Sequence, residues 1–170
     1  MKGGNNMIKF VLGPSGSGKT KWLIDEANKD KRSGNGNIVF IDTDDSHIFS
    51  LDHGVRLINA SEYGINTYER LYGFLSGIIS RDYDIEKIYL DGIYQILPFD
   101  VEGLKKFIED IKKIIKEHNV EFFIGMDKNK EDLPENLREN IVELHLRLKE
   151  SFQVRRLRCS AHTAGVMTNG

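Results

Sequence analysis

The chain has 170 residues and a single cysteine, Cys159, so no internal disulfide can form. The expected setting is therefore a reducing one, the cytoplasm. An excess of charge of one sign is also missing. Lys and Arg number 24 against 26 Asp and Glu, a net charge of -2. Bulk charge thus gives no support for a nucleic-acid or anionic-membrane partner. No apolar run approaches the roughly 18 residues that a bilayer-spanning helix needs. Residues 1–6 are polar, contain two glycines and lack the apolar stretch of a secretory leader. They read as a flexible extension before a domain over 7–150, with Met7 as an alternative start. The five histidines are scattered, none at metal-ligand spacing from another, and read as structural or surface residues.

What is present is concentrated in one motif. Gly13-Pro14-Ser15-Gly16-Ser17-Gly18-Lys19-Thr20 has the form G-x-x-x-x-G-K-T, a phosphate-binding P-loop. Its glycines let the backbone curl around an anion with N–H groups pointing inward. A following helix adds its positive N-terminal end. Lys19 is then expected to reach the β- and γ-phosphates, and Thr20 to hold Mg²⁺. The context fits. Ile8, Phe10, Val11 and Leu12 form an apolar run, the strand before the loop. Lys19 to Lys29 contains neither Gly nor Pro and opens a helix.

Strands and helices alternate onward. Ile38–Ile41 is a continuous apolar run, as in a strand buried on both faces, and leads into Asp42-Thr43-Asp44-Asp45. A short strand is expected over Val55–Ile58. The next helix is expected to start near Asn66, with Asn66 as its cap and Glu69 completing a capping box. Ile88–Leu90 reads as the third strand and ends at Asp91-Gly92. Leu104, Phe107, Ile108, Ile111, Ile114 and Ile115 make an amphipathic helix. Val120–Ile124 reads as the fourth strand, before Gly125-Met126-Asp127. A short helical segment is expected over Asp132–Asn140. Val142, Leu144, Leu146 and Leu148 alternate with polar residues, the period of an edge strand, although a helix also fits. Residues 151–170 change character, with three arginines, no lysine and small polar residues. They read as a disordered or foreign tail, with a basic phosphate or RNA contact as a further option. The pattern predicts a three-layer α/β fold, a mostly parallel sheet with helices on both faces. The loop, Asp42–Asp45, Asp91 and Asp127 should line one rim, because all follow strands.

Asp91 closes Lys87-Ile88-Tyr89-Leu90, the Walker B pattern. It is the expected second Mg²⁺ ligand beside Thr20, directly or through water; the alternative is a turn residue before Gly92. Many P-loop ATPases carry a Glu directly after this Asp, and here that position is Gly92. The group that activates water must then come from elsewhere. Asp44 is the main candidate, with Asp45 and Gln95 as alternatives and Asp42 as a structural residue. Asp44 could equally serve as a loop hydrogen-bonding residue.

Taken in order, Gly13–Thr20, Phe40–Asp44 and Ile88–Asp91 resemble the RecA-like P-loop ATPases. The resemblance spans about residues 7–128. It implies ATP and Mg²⁺ as ligands and slow hydrolysis by a minimal core. It also implies a sheet whose fourth strand lies between the P-loop and Walker B strands, and Asp44 in the place of a water-activating Glu. Asp42-Thr43-Asp44 also resembles the Asp-x-Asp of shikimate-kinase-like enzymes, which implies phosphoryl transfer to a small hydroxyl acceptor. The P-loop text is similar to that of guanylate kinases, but the GMP-binding segment that should follow is missing. A third reading is a nucleotide-dependent switch with a protein partner or a homo-oligomer and little turnover. No base-reading N-K-x-D motif is present, which tilts the nucleoside triphosphate toward ATP.

Overall fold

The computed structural model describes residues 7–146. Six strands, β1 (Ile8–Leu12), β2 (Asn37–Asp42), β3 (Val55–Asn59), β4 (Ile85–Leu90), β5 (Glu121–Met126) and β6 (Ile141–Glu143), form one sheet in the order β3-β2-β4-β5-β1-β6. Every pairing is parallel, so the expectation of a mostly parallel sheet sharpens to an all-parallel one. The helices are α1 (Lys19–Arg32), α2 (Tyr68–Arg81), the single turn α3 (Ile93–Ile96) and α4 (Val101–His118).

Side-chain alternation along the strands divides the core into two layers. Val11, Phe40, Tyr89 and Phe123 pack with Leu23, Ile24 and Ala27 of α1 on one face. Phe10, Leu12, Val39, Ile41, Ile88, Leu90, Phe122 and Ile124 pack with the apolar stripes of α2 and α4 on the other. Both faces are covered, which is why the central strands read as continuous apolar runs. Among the described residues no helix is long and apolar enough to cross a membrane.

Local signals were right in kind and shifted in place. α2 is capped by Thr67, whose hydroxyl accepts the Arg70 N–H at 3.2 Å, one residue beyond the expected Asn66 cap. α4 is capped by Asp100, which accepts the N–H groups of Glu102 and Gly103. The expected helix over Asp132–Asn140 is two 3₁₀ turns, Lys130–Asp132 and Glu135–Leu137. Pro134 between them has no N–H to give to a continuous helix. The alternating segment from Val142 forms an edge strand, but it is short and ends at Glu143. Beyond it, Leu144 donates its N–H to the Leu12 carbonyl at 2.8 Å, which brings the chain against the start of the glycine-rich loop. Residues 1–6 and 147–170, which include Leu148 and the arginine-bearing tail, lie outside the described residues.

Candidate functional site

The site is assembled where parallel strands end. β1, β5, β4 and β2 run side by side, so Gly13, Asp127, Asp91 and Thr43 all emerge at one edge of the sheet. The rim expected from the sequence is therefore formed.

Between β1 and α1 the chain makes a tight glycine-rich turn, with the Ser17 N–H donating to the Pro14 carbonyl at 3.1 Å. Gly18, just before the helix, has φ 93°, a left-handed conformation that a side chain disfavours. At Gly13 a Cβ would stand 2.6 Å from Ser17 Oγ and press on the Leu144 carbonyl, so the close approach requires glycine. α1 begins with no side-chain cap and no acidic residue in its first turn. Its first N–H groups have no partner within the helix, and its positive end is uncompensated.

Lys19 is buried, 5 % exposed. Its Nζ donates to the Gly13 carbonyl at 2.9 Å and the Pro14 carbonyl at 2.8 Å. It also stands 2.5 Å from Asp127 Oδ1, a buried oxygen for which this is an ionic contact without hydrogen-bond geometry. Asp127 was placed on the rim by its strand but given no role. An acid directly after an apolar strand, the signal that picked out Asp91, was available for it too.

A cavity of about 630 Å³ opens beside this corner. Its walls include Ser15, Gly16, Gly18, Lys19 and Thr20 from the loop and helix, Tyr94 and Gln95 from α3, Asp127, and His47. Tyr94 is an aromatic side chain on this wall. Burial raises its phenol pKa, and the Asp127 and Asp91 carboxylates add to the rise against the Gln95 hydrogen bond. A second cavity of about 680 Å³, at Met7, Ile108 and Asn140, lies by the opening of β1 and away from these groups.

Asp91 is buried, 3 % exposed, and its N–H donates to the Ile41 carbonyl at 2.8 Å. It is not among the residues that line the cavity. A Cβ on Gly125 would lie 2.9 Å from Leu23 Cδ1 and 3.0 Å from Asp91 Oδ1.

The acids after β2 divide. Asp42 is 4 % exposed; its Oδ1 accepts the Thr43 N–H at 2.7 Å and its Oδ2 pairs with His47 Nδ1 at 2.9 Å. Burial raises its pKa. The Thr43 and His47 hydrogen bonds oppose the rise, and the nearby Asp91 charge adds to it. Asp44 faces solvent and accepts the Ser46 N–H at 2.7 Å; Ser46 holds its carboxyl below the usual range. Asp42, Asp44 and His47 offer ligand atoms within 4.8 Å of one another. Their hydrogen bonds already satisfy both Asp42 oxygens, so the group is coherent without an ion. His47, read from the sequence as structural or surface, instead joins a buried carboxylate to the cavity wall.

No protein-family model matches the chain, and a search of curated proteins finds no match either.

Proposed function

We propose that this protein is a P-loop ATPase of minimal RecA-like form, binding Mg·ATP at Gly13–Thr20 and hydrolysing it slowly. One observation carries the reading. Lys19 is folded onto the loop's own carbonyls and against Asp127, at the mouth of an uncapped helix. A buried ammonium and the N–H groups of a helix start, which have no partner within the helix, beside an open cavity are the chemistry that a polyphosphate matches. The strand order adds support, because β5 lies between β1 and β4, as a RecA-like core requires.

In this reading the amides of Ser15 to Thr20 receive the phosphates, and Lys19 exchanges Asp127 for the β- and γ-phosphate oxygens. Asp127 is then released from its ion pair with Lys19. Thr20 and Asp91 fit as holders of Mg²⁺. Thr20 lines the cavity, and Asp91 is a buried carboxylate, 3 % exposed. Asp91's place outside that lining suits contact through water. Bound there, Mg²⁺ would screen the phosphate charge that repels a nucleophile. Tyr94 and Gln95 close the other side of the cavity and limit water. A cytoplasmic setting, with its supply of Mg·ATP, suits the reading.

The test follows ADP and phosphate release from Mg·ATP by wild type and Lys19→Ala, alone and with small hydroxyl acceptors. Acceptor-independent phosphate release that disappears in the variant is the expected result. ADP formed only with an acceptor, without free phosphate, would make the protein a kinase built on Asp42 and Asp44. Tight binding with neither product would make it a nucleotide switch.

A further inference from the structure

Gly92 occupies the position where many P-loop ATPases carry a catalytic Glu, and its surroundings explain why no side chain stands there. Its φ is 65°, and a Cβ would lie 2.6 Å from Thr43 Oγ1 and 3.1 Å from Asp42 Oδ1. The corner of β2 fills that space. The acid excluded from position 92 has a substitute in the group that excludes it. Asp42 holds His47, and His47 reaches the wall of the cavity that Lys19 and Thr20 also line.

We propose that His47 is the general base of this protein and Asp42 its positioning residue. The inference rests on the ATPase reading above. Both Asp42 oxygens accept hydrogen bonds, one from Thr43 N–H and one from His47 Nδ1. An acceptor-only carboxylate puts the imidazole proton on Nδ1, which leaves the Nε2 lone pair free. The side chain of His47 is 34 % exposed and that of Asp42 5 %, so the ring has access while its anchor does not. Ser46 Oγ, 3.2 Å from Nδ1, further limits rotation of the ring.

The step balances without any other co-reactant. A water oxygen bonds to the γ-phosphorus, the bond from that phosphorus to the β,γ-bridging oxygen breaks, and its electron pair stays on ADP. The proton from water passes to His47 Nε2, and the imidazolium returns it to phosphate or solvent. Asp42 stabilises the imidazolium in between. Asp44, exposed and tied to Ser46, is the weaker base because its carboxyl is already held low. The groups that face the imidazole are Asp42 and Asp44 on its own segment, with Asp91 behind Asp42. Across the cavity stand Lys19 and the Lys21–Asp25 pair of α1, Asp127, and Tyr94 of α3.

The experiment measures phosphate release at saturating Mg·ATP from about pH 5 to about pH 9, the range that brackets imidazole titration. Wild type is compared with His47→Gln, Asp42→Asn and Asp44→Asn. Affinity is read separately with a fluorescent ATP analogue. Wild type should lose activity on the acid side through one proton. His47→Gln should fall about 100-fold, lose that acid limb, and keep its nucleotide affinity. Added imidazole should restore part of the rate to His47→Gly. Asp42→Asn should lower the rate with little change in KM and leave nucleotide affinity near wild type. His47→Gln is partly exposed and should fold, so the result does not depend on the buried Asp42 variant. An unchanged rate and limb in His47→Gln, or loss in Asp44→Asn alone, overturns the dyad. If Lys19→Ala is dead while His47→Gln is fully active, the dyad falls and the ATPase reading stands. If wild type binds ATP and releases no phosphate, both fall.

Discussion

Strand β4 and the residue that follows it carry two groups of buried charge on one face, and their difference separates structural from chemical use of charge. Lys87, Tyr89 and Asp91 alternate toward α1. At the first two positions the charges are closed. Tyr89 donates a short hydrogen bond to Asp30 near the end of α1. Lys87 lies 2.8 Å from Asp30 and 3.4 Å from Glu121, and over the Phe123 ring. Asn35 adds its side-chain amide to the Asp30 carbonyl. The Tyr89 phenol is pushed far above its ordinary value, first by burial and then by Asp30. Every group has a partner. At the third position Asp91 is buried, α1 begins uncapped, and Lys19 spends its charge on loop carbonyls and Asp127, whose Oδ1 is a buried oxygen without a hydrogen bond among the described residues. The same helix and strand are thus fastened at one end and left chemically open at the other. Complete pairing of buried charge specifies position, and incomplete pairing beside a cavity leaves capacity for a ligand.

The sharpest way to break this comparison is to remove the cation at the open end. Lys19→Ala should reduce ATP turnover by about 100- to 1,000-fold, measured as phosphate release, while thermal unfolding changes little. If the variant loses most of its stability instead, the open end is as structural as the closed one. The reciprocal change is Asp30→Ala at the closed end. It strands Lys87 and the Tyr89 hydroxyl, and should cost about 3 kcal/mol in urea unfolding. Nucleotide affinity should stay near wild type. A loss of affinity matching that of Lys19→Ala would show that the two ends are not separable.

How far the two ends were legible in the chain follows from their physics. The turn at the open end was legible because a glycine-rich segment followed by a run without Gly or Pro reads as a loop and then a helix start, Gly13 to Thr20. The sheet was legible because strands covered on both faces, such as Ile38–Ile41, must be apolar throughout. The closed end was not legible. Asp30, Lys87 and Glu121 are distant in sequence, and each alone reads as a surface charge. The same applies to Lys19–Asp127, an ion pair across more than a hundred residues. The His47–Asp42 pair was not legible because Asp42 looked like one acid in a run of three. Only burial tells Asp42 from Asp44, and burial depends on where β2 stops. The boundary of α2 slipped from Asn66 to Thr67 because both residues can cap, and local sequence does not choose between them.

A smaller change sharpens the comparison within β4 itself. Asp91→Asn keeps the shape of the side chain and removes its charge. Mg²⁺-dependent turnover should fall about tenfold or more, with a smaller effect on binding of ATP in the absence of Mg²⁺. Titration of activity with Mg²⁺ against nucleotide binding in chelator checks the split. Equal losses in both would mean that Asp91 serves the fold, like Lys87 and Tyr89 on the same strand.

The smallest expected effect separates the two acids after β2. Asp44 has a folded pKa held below 3.8 by Ser46, so its contribution to stability is present above the unfolded value. It is lost as pH falls through the folded value. Asp42 has the opposite sign, because burial raises its pKa above 3.8. Its ionised form costs stability, and acidification from neutral pH relieves that cost before other groups unfold the chain. Asp44→Asn should therefore be slightly less stable than wild type at neutral pH, with the difference shrinking toward acid. Asp42→Asn should show a difference that moves in the other direction as pH falls. Urea unfolding of wild type and both variants at neutral and acidic pH measures this. Parallel behaviour of the two variants would mean that burial does not distinguish the two acids.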